Sequence, residues 1–189
     1  MTLSPQLSSN LSLEEFLQLP ETKPASEYMD GKIFQKPMPQ GKHSTLQIEL
    51  ASDINRVGKP KKLAYAFPEL RCTFGGKSIV PDIAVFEWDR IPLDTAGKIL
   101  NQFEIPPDWT IEILSPNQSP NRVISNITFA IQNGTKLVWF LDPDDGSIMI
   151  FQPNQLPEFK QEKDILPVLD VFKDWNISVE DVFACLNFS

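Results

Sequence analysis

Apolar residues recur at helical spacing between Ser44 and Val57: Leu46, Leu50, Ile54 and Val57 form one stripe, which Ile48 and Ala51 widen. That pattern predicts a helix with one buried face. Ahead of it, Glu27-Tyr28-Met29 and Lys32-Ile33-Phe34-Gln35 flank Asp30-Gly31, a two-residue hairpin signal. After it, Leu63–Ala66 reads as a strand leading into Phe67–Phe86, where two β-rich runs flank Gly75-Gly76. Leu70, Cys72 and Phe74 alternate there with Glu69, Arg71 and Thr73, so this ribbon has an apolar and a polar face. Residues 91–108 hold several prolines and predict a long surface loop.

Farther along, Trp109–Leu114 predicts a strand, Val123–Gln132 a helix closed by Asn133-Gly134, and Leu137–Leu141 a buried central strand. Asp142-Pro-Asp-Asp-Gly146 turns the chain into a strand over 147–152. Leu166–Val171 also reads as strand-like. Two short helices are announced by their caps. Ser12 with Glu15 makes a capping box before Phe16, and Ser178 precedes Val179–Leu186. Residues 1–11 read as a loose lead-in to a single domain spanning 1–189.

The ribbon raises an electrostatic question. A two-residue loop at Gly75-Gly76 sets Glu69 directly across from Asp82. Facing like charges on a sheet repel, and one proton or one cation resolves the conflict. Glu112, in the next strand, supplies a third carboxylate. Glu69, Asp82 and Glu112 are therefore expected to converge on one sheet face. Hard divalent cations such as Mg²⁺ or Mn²⁺ take carboxylate, carbonyl and water oxygens, so Asp82, Glu112 and the carbonyl of Ile113 form the expected metal set. The alternative is that these are ordinary strand acids. Likewise, Glu69 and Arg71 read either as site residues or as a cross-strand surface ion pair.

His43, the one histidine of the chain, and Gln47, one turn on, stand at the start of the long helix as companions to that site. Arg56, Lys59, Lys61 and Lys62 are four of the seventeen basic residues within seven positions, and either contact nucleic-acid phosphates or stay solvated. The rest of the composition narrows the picture. A net charge of −8 argues against a general polyanion binder. Two cysteines, Cys72 and Cys185, give no disulfide framework. No apolar run is long enough to span a bilayer and no signal-peptide pattern opens the chain, so a cytoplasmic protein is expected.

Pro81-Asp82 followed by Glu112-Ile113-Leu114 resembles the PD-(D/E)XK nuclease signature. More narrowly, the chain is similar to the Uma family of restriction-endonuclease-like bacterial proteins. The matching words are Leu13-Glu-Glu-Phe-Leu, Glu27-Tyr28 with Gly31, His43, Val80-Pro-Asp82-Ile-Ala-Val, Glu112-Ile-Leu-Ser-Pro116, the helix ending at Gly134, and Trp139 with Asp142-Pro143. The resemblance implies an α/β fold with a restriction-endonuclease-like mixed central sheet flanked by helices. It implies Mg²⁺-dependent endonucleolytic cleavage of DNA, with a homodimer as the form that cuts a duplex. One departure stands out. The signature places a lysine two positions after Glu112, where this chain has Leu114. In many relatives a lysine of the following helix replaces it, and the matching position here is Asn126. No lysine lies between Lys98 and Lys136, which leaves Gln118 and Arg122 as the nearest polar groups. Two other readings remain: a degenerate nuclease-fold module that binds nucleic acid or protein without cleaving, and an acid–base enzyme acting on a small molecule.

Overall fold

The computed structural model describes residues 11–116 and 118–189, so the expected lead-in lies outside the described residues except for Leu11. Among the described residues there are four helices: α1 (Leu13–Leu17), α2 (Gly41–Gly58), α3 (Pro120–Gln132) and α4 (Val179–Ala184). The strands are β1 (Ser26–Met29), β2 (Lys32–Gln35), β3 (Ala64–Pro68), β4 (Cys72–Phe74), β5 (Lys77–Ile79), β6 (Ile83–Glu87), β7 (Trp109–Ile113), β8 (Leu137–Asp142), β9 (Ser147–Phe151) and β10 (Glu158–Gln161). The expected Ser12–Glu15 capping box forms, and the Ser178 cap turns out to be a capping box as well, with Asp181.

A six-stranded sheet runs in the order β10-β9-β8-β7-β6-β3, with β7 and β8 parallel and the other pairs antiparallel. A smaller sheet has the order β2-β1-β5-β4. The fold is therefore α/β with a mixed central sheet flanked by helices. On one face, Leu46, Leu50, Ala51 and Ile54 of α2 pack with Val179 and Val182 of α4 over Trp109, Ile111, Trp139 and Leu141. On the other, Val123 and Ile127 of α3 cover Val138 and Phe140. Strand β8 feeds alternate residues to each layer, which is why its sequence is apolar throughout.

The ribbon around Gly75-Gly76 is one register shared by two sheets. Cys72 pairs with Ile79 in the small sheet, and Pro68 pairs with Ile83 in the large one, on the same alignment. Between them the ribbon turns a corner. Pro81 has no N–H to continue a ladder, and Glu69 takes a left-handed backbone, φ 49°. Asp82 sits on that corner, immediately before β6.

Three local expectations differ from the structure. Ile48 is 63% exposed and lies off the buried stripe of α2. Leu166–Val171 forms no strand; Leu166 and Leu169 are core residues ahead of a 3-10 turn at Asp170–Phe172. The last strand is instead β10, a mostly exposed, charged edge that pairing with β9 defines and no hydrophobic alternation announces. The 91–108 loop is anchored by buried Phe103, which packs on Phe67 and Phe86.

Gly58 closes α2 against β3. A Cβ there meets the Ala64 carbonyl oxygen at 2.6 Å and the Phe172 ring at 3.0 Å. Helix propensity alone favours alanine by about 1 kcal/mol, yet backbone cannot yield as a flexible side chain can. Gly58→Ala is expected to destabilise the fold by about 1–3 kcal/mol in urea denaturation.

Candidate active site

The antiparallel ladder of β6 and β7 ends with Ile83 opposite Ile111. One more step sets Asp82 opposite Glu112; both are buried, and one ammonium, that of Lys36, lies within 3.9 Å of both carboxyl groups. Asp82 is held from every side. Its Oδ1 accepts from Lys36 Nζ at 2.5 Å. Its Oδ2 accepts from the Ile113 N–H at 2.7 Å and lies 3.1 Å from His43 Nε2. Its main-chain oxygen accepts from Gln47 Nε2 at 2.8 Å and from the Glu69 N–H at 3.1 Å. His43 and Gln47 thus act from consecutive turns of α2 on one residue. Within a strand, the N–H and C=O of one residue point to the same edge, so the Ile113 carbonyl faces the Asp82 corner as well.

Lys36, just beyond β2, is the residue that sequence reasoning missed. Its Nζ also donates to the Val80 carbonyl at 2.7 Å and stands 3.9 Å from Glu112 Oε2. Its side chain is 12% exposed. Glu27 is the second omission. Buried in β1, it accepts from the Val80 N–H at 3.0 Å and from Asn126 Nδ2 at 2.8 Å. Arg122 lies 4.0 Å from Glu27, with its guanidinium 3.2 Å from the centre of the Phe34 ring. Lys36, Glu27, Glu112, Gln118, Arg122 and Asn126 line one cleft of about 270 Å³.

These groups perturb one another. Burial pushes the Asp82 carboxyl up, but Lys36 and the His43 hydrogen bond outweigh it and hold it at about 2. Burial draws the Lys36 ammonium down, but Asp82, Glu112 and Glu27 outweigh that and raise it. Glu112 goes the other way. Burial, then the negative charges of Asp82 and Glu27, raise its carboxyl well above the usual range, against the pull of Lys36. With all three acids ionised the cluster would carry more negative charge than Lys36 offsets, and this drives Glu112 toward its protonated form.

Several expected members stand elsewhere. Glu69 is opposite Asp82 in register, but its left-handed φ of 49° turns the side chain outward, where it is exposed. It lines a separate groove between α2 and the 91–99 loop and adds no carboxylate to the cluster. Arg71 pairs with Glu21 at 2.8 Å and donates to Ser78 at 3.0 Å, so it does not balance Asp82. The Gln118 side-chain oxygen caps the Ser115 N–H at 3.1 Å at the cleft rim. Leu114 packs against the apolar cluster under α3. Arg56, Lys59, Lys61 and Lys62 are exposed at the far end of α2. Lys59, at the cap of α2, is sixteen positions from His43, roughly 24 Å along the helix; that segment lies away from the Asp82–Glu112 pair.

The donor set fits a hard divalent cation. Among the described residues no three His, Cys, Asp or Glu side chains form a self-sufficient metal cage. Mg²⁺ does not require one: it binds through one or two carboxylates and keeps its waters or substrate oxygens. Asp82, Glu112 and the Ile113 carbonyl are that kind of set, and an ammonium already stands between the two carboxylates.

Residues 13–180 match the Uma2 family, described as putative restriction endonuclease. The chain belongs to that family. It is also similar to the crystal structure of a putative nuclease of the DUF820 family from Anabaena variabilis, at 51% identity and a TM-score of 0.91. That match covers 93% of this chain and 99% of the other. No curated protein matches the chain. The fold is thus nuclease-like, and among the described residues no helix is long and apolar enough to cross a membrane.

Proposed function

We propose that this Uma2 family member is a Mg²⁺-dependent endonuclease that hydrolyses DNA phosphodiester bonds at the Asp82–Glu112 corner. The observation that carries the reading is the opposition of these two buried carboxylates across one strand pair, with a cation between them. Bound there, Mg²⁺ or Mn²⁺ would stabilise charge on the phosphate and make a water more acidic.

The chain's own residues have separable parts in this reading. Asp82 and Glu112 supply the anionic oxygens. The Ile113 N–H and His43 fix the Asp82 carboxylate, and Gln47 and the Glu69 N–H fix its backbone. Glu27 and Asn126 brace the Val80 segment from the far wall of the cleft. Arg122 is 30% exposed at the cleft mouth, where a guanidinium suits a phosphate that approaches Glu112.

Incubation of supercoiled plasmid with the purified protein tests this reading. Nicking is expected with Mg²⁺ or Mn²⁺ and none in EDTA; cleavage that persists in EDTA sinks the proposal. Binding without cleavage in any divalent ion favours the non-catalytic module instead. A second expectation concerns Arg122→Ala. In fluorescence-anisotropy titrations of a DNA duplex it is expected to reduce the slope of log affinity against log salt by about 1, uniformly across sequences. An unchanged slope places the phosphates elsewhere.

A further inference from the structure

We propose that Lys36 is the catalytic lysine of this site, delivered by the β1–β2 hairpin, and that without a divalent ion its ammonium occupies the cation position between Asp82 and Glu112. This rests on the nuclease reading above and names the residue that reading lacks.

Both positions to which the family signature assigns a lysine are otherwise committed. Leu114 is packed in the apolar layer under α3, and Asn126 donates its amide to Glu27. Lys36 reaches the same carboxylates from the opposite wall. Its Nζ is 2.5 Å from Asp82 and 3.9 Å from Glu112, and its alkyl stem is buried along the cleft. A surface lysine that merely neutralised an acid would not be drawn inside with a backbone carbonyl as third partner, Val80 at 2.7 Å. A divalent ion and an ammonium cannot share the gap between two carboxylates. With a divalent ion held by these carboxylates, Nζ would have to leave Asp82 for the open part of the cleft, where a phosphate could meet it.

There Lys36 acts as a donor. It holds a non-bridging phosphate oxygen and orients the attacking water. The water oxygen bonds to phosphorus, the bond from phosphorus to the leaving oxygen breaks, the water's proton passes to solvent, and solvent returns one to the leaving oxygen. Lys36 begins and ends as an ammonium.

Two measurements on the intact chain decide this: calorimetric titration with Mn²⁺ in the absence of DNA, and plasmid nicking. Lys36→Met is expected to bind Mn²⁺ at least about fivefold more tightly, because the competing cation is gone. It is expected to nick about 10²-fold more slowly, the usual loss for one transition-state donor. Lys36→Arg, which keeps the charge, controls for folding and is also expected to nick poorly. A K36M/N126K double variant, with lysine restored at the helix position, is expected to nick about tenfold faster than K36M. Unchanged or weaker Mn²⁺ affinity in K36M overturns the placeholder role. Wild-type nicking by K36M, or a double variant no better than K36M, overturns the catalytic role. If wild type itself nicks nothing, the nuclease reading fails, and the Mn²⁺ titration still decides where the ammonium stands.

Discussion

Asp82→Asn is expected to abolish plasmid nicking and to lower the unfolding free energy by about 3–5 kcal/mol, the usual cost of stripping one partner from a buried ion pair. The side chain is isosteric, so the loss is one of charge and hydrogen-bond polarity. Asp82 uses both oxygens as acceptors, Oδ1 for Lys36 and Oδ2 for His43 and the Ile113 N–H. An amide has one acceptor and one donor. Whichever way it is placed, its NH₂ meets another donor, and the Lys36 ammonium keeps no full counter-charge within bonding distance. The pH dependence has a definite sign. Lys36 and His43 hold the Asp82 carboxyl at about 2, below its ordinary 3.8. A depressed carboxyl contributes stability above its unfolded value, and that stability is lost as pH falls toward the folded one. The deficit of the variant is therefore largest at neutral pH and shrinks below about pH 4. Urea denaturation at several pH values reads it directly. A neutral-pH deficit within about 0.5 kcal/mol of zero, as for ordinary surface changes, would refute the buried pair.

Glu112→Gln is expected to act in opposite directions on activity and stability. Under the proposed mechanism nicking should vanish, because one of the two carboxylates that would hold the metal is gone. Stability in EDTA at neutral pH should rise by about 1–2 kcal/mol, the gain typical of relieving one costly functional feature. In a chain of 189 residues that is about 2–8 °C in Tm. Burial, with Asp82 and Glu27 beside it, raises the Glu112 carboxyl well above the usual range. A raised carboxyl contributes stability below its unfolded value and loses it as pH rises through the folded one. The glutamine carries no such penalty, so its advantage appears as pH climbs above about 4.5 and disappears below it. Calorimetric scans across that range check it. A variant less stable than wild type at neutral pH would mean that Glu112 belongs to the ion pair and is no strained metal ligand. Saturating Mg²⁺ should narrow the gap by stabilising only the wild type.

Much of the fold was legible because local physics writes it along the chain. The 3.6-residue stripe of α2, the Ser12 capping box, the Ser178 cap, the Asp30-Gly31 turn and the apolar run of β8 each respond to forces acting within a few residues. Even the pairing of Glu69 with Asp82 holds, since a two-residue turn sets the register of the ribbon that follows it. What failed there was the direction of a side chain. A ribbon that turns a corner between two sheets needs one left-handed residue, and Glu69 is that residue. β10 was missed because an exposed edge strand lacks the alternation that betrays a half-buried one.

The sequence by itself picked out the residues that the structure brings together: Asp82 after Pro81 and Glu112 in the next strand, with His43 and Gln47 one turn apart on α2. These follow from local register and helical phase. Only the tertiary structure decided which cation faces them. Lys36 lies 46 positions from Asp82, and Glu27 lies 99 from Asn126. The smaller sheet folds its hairpin across the end of the larger one, and no periodicity in the chain encodes that crossing. Burial then does the rest: three carboxyls drawn out of water around one ammonium demand a positive charge, and the hairpin is where the fold supplies it.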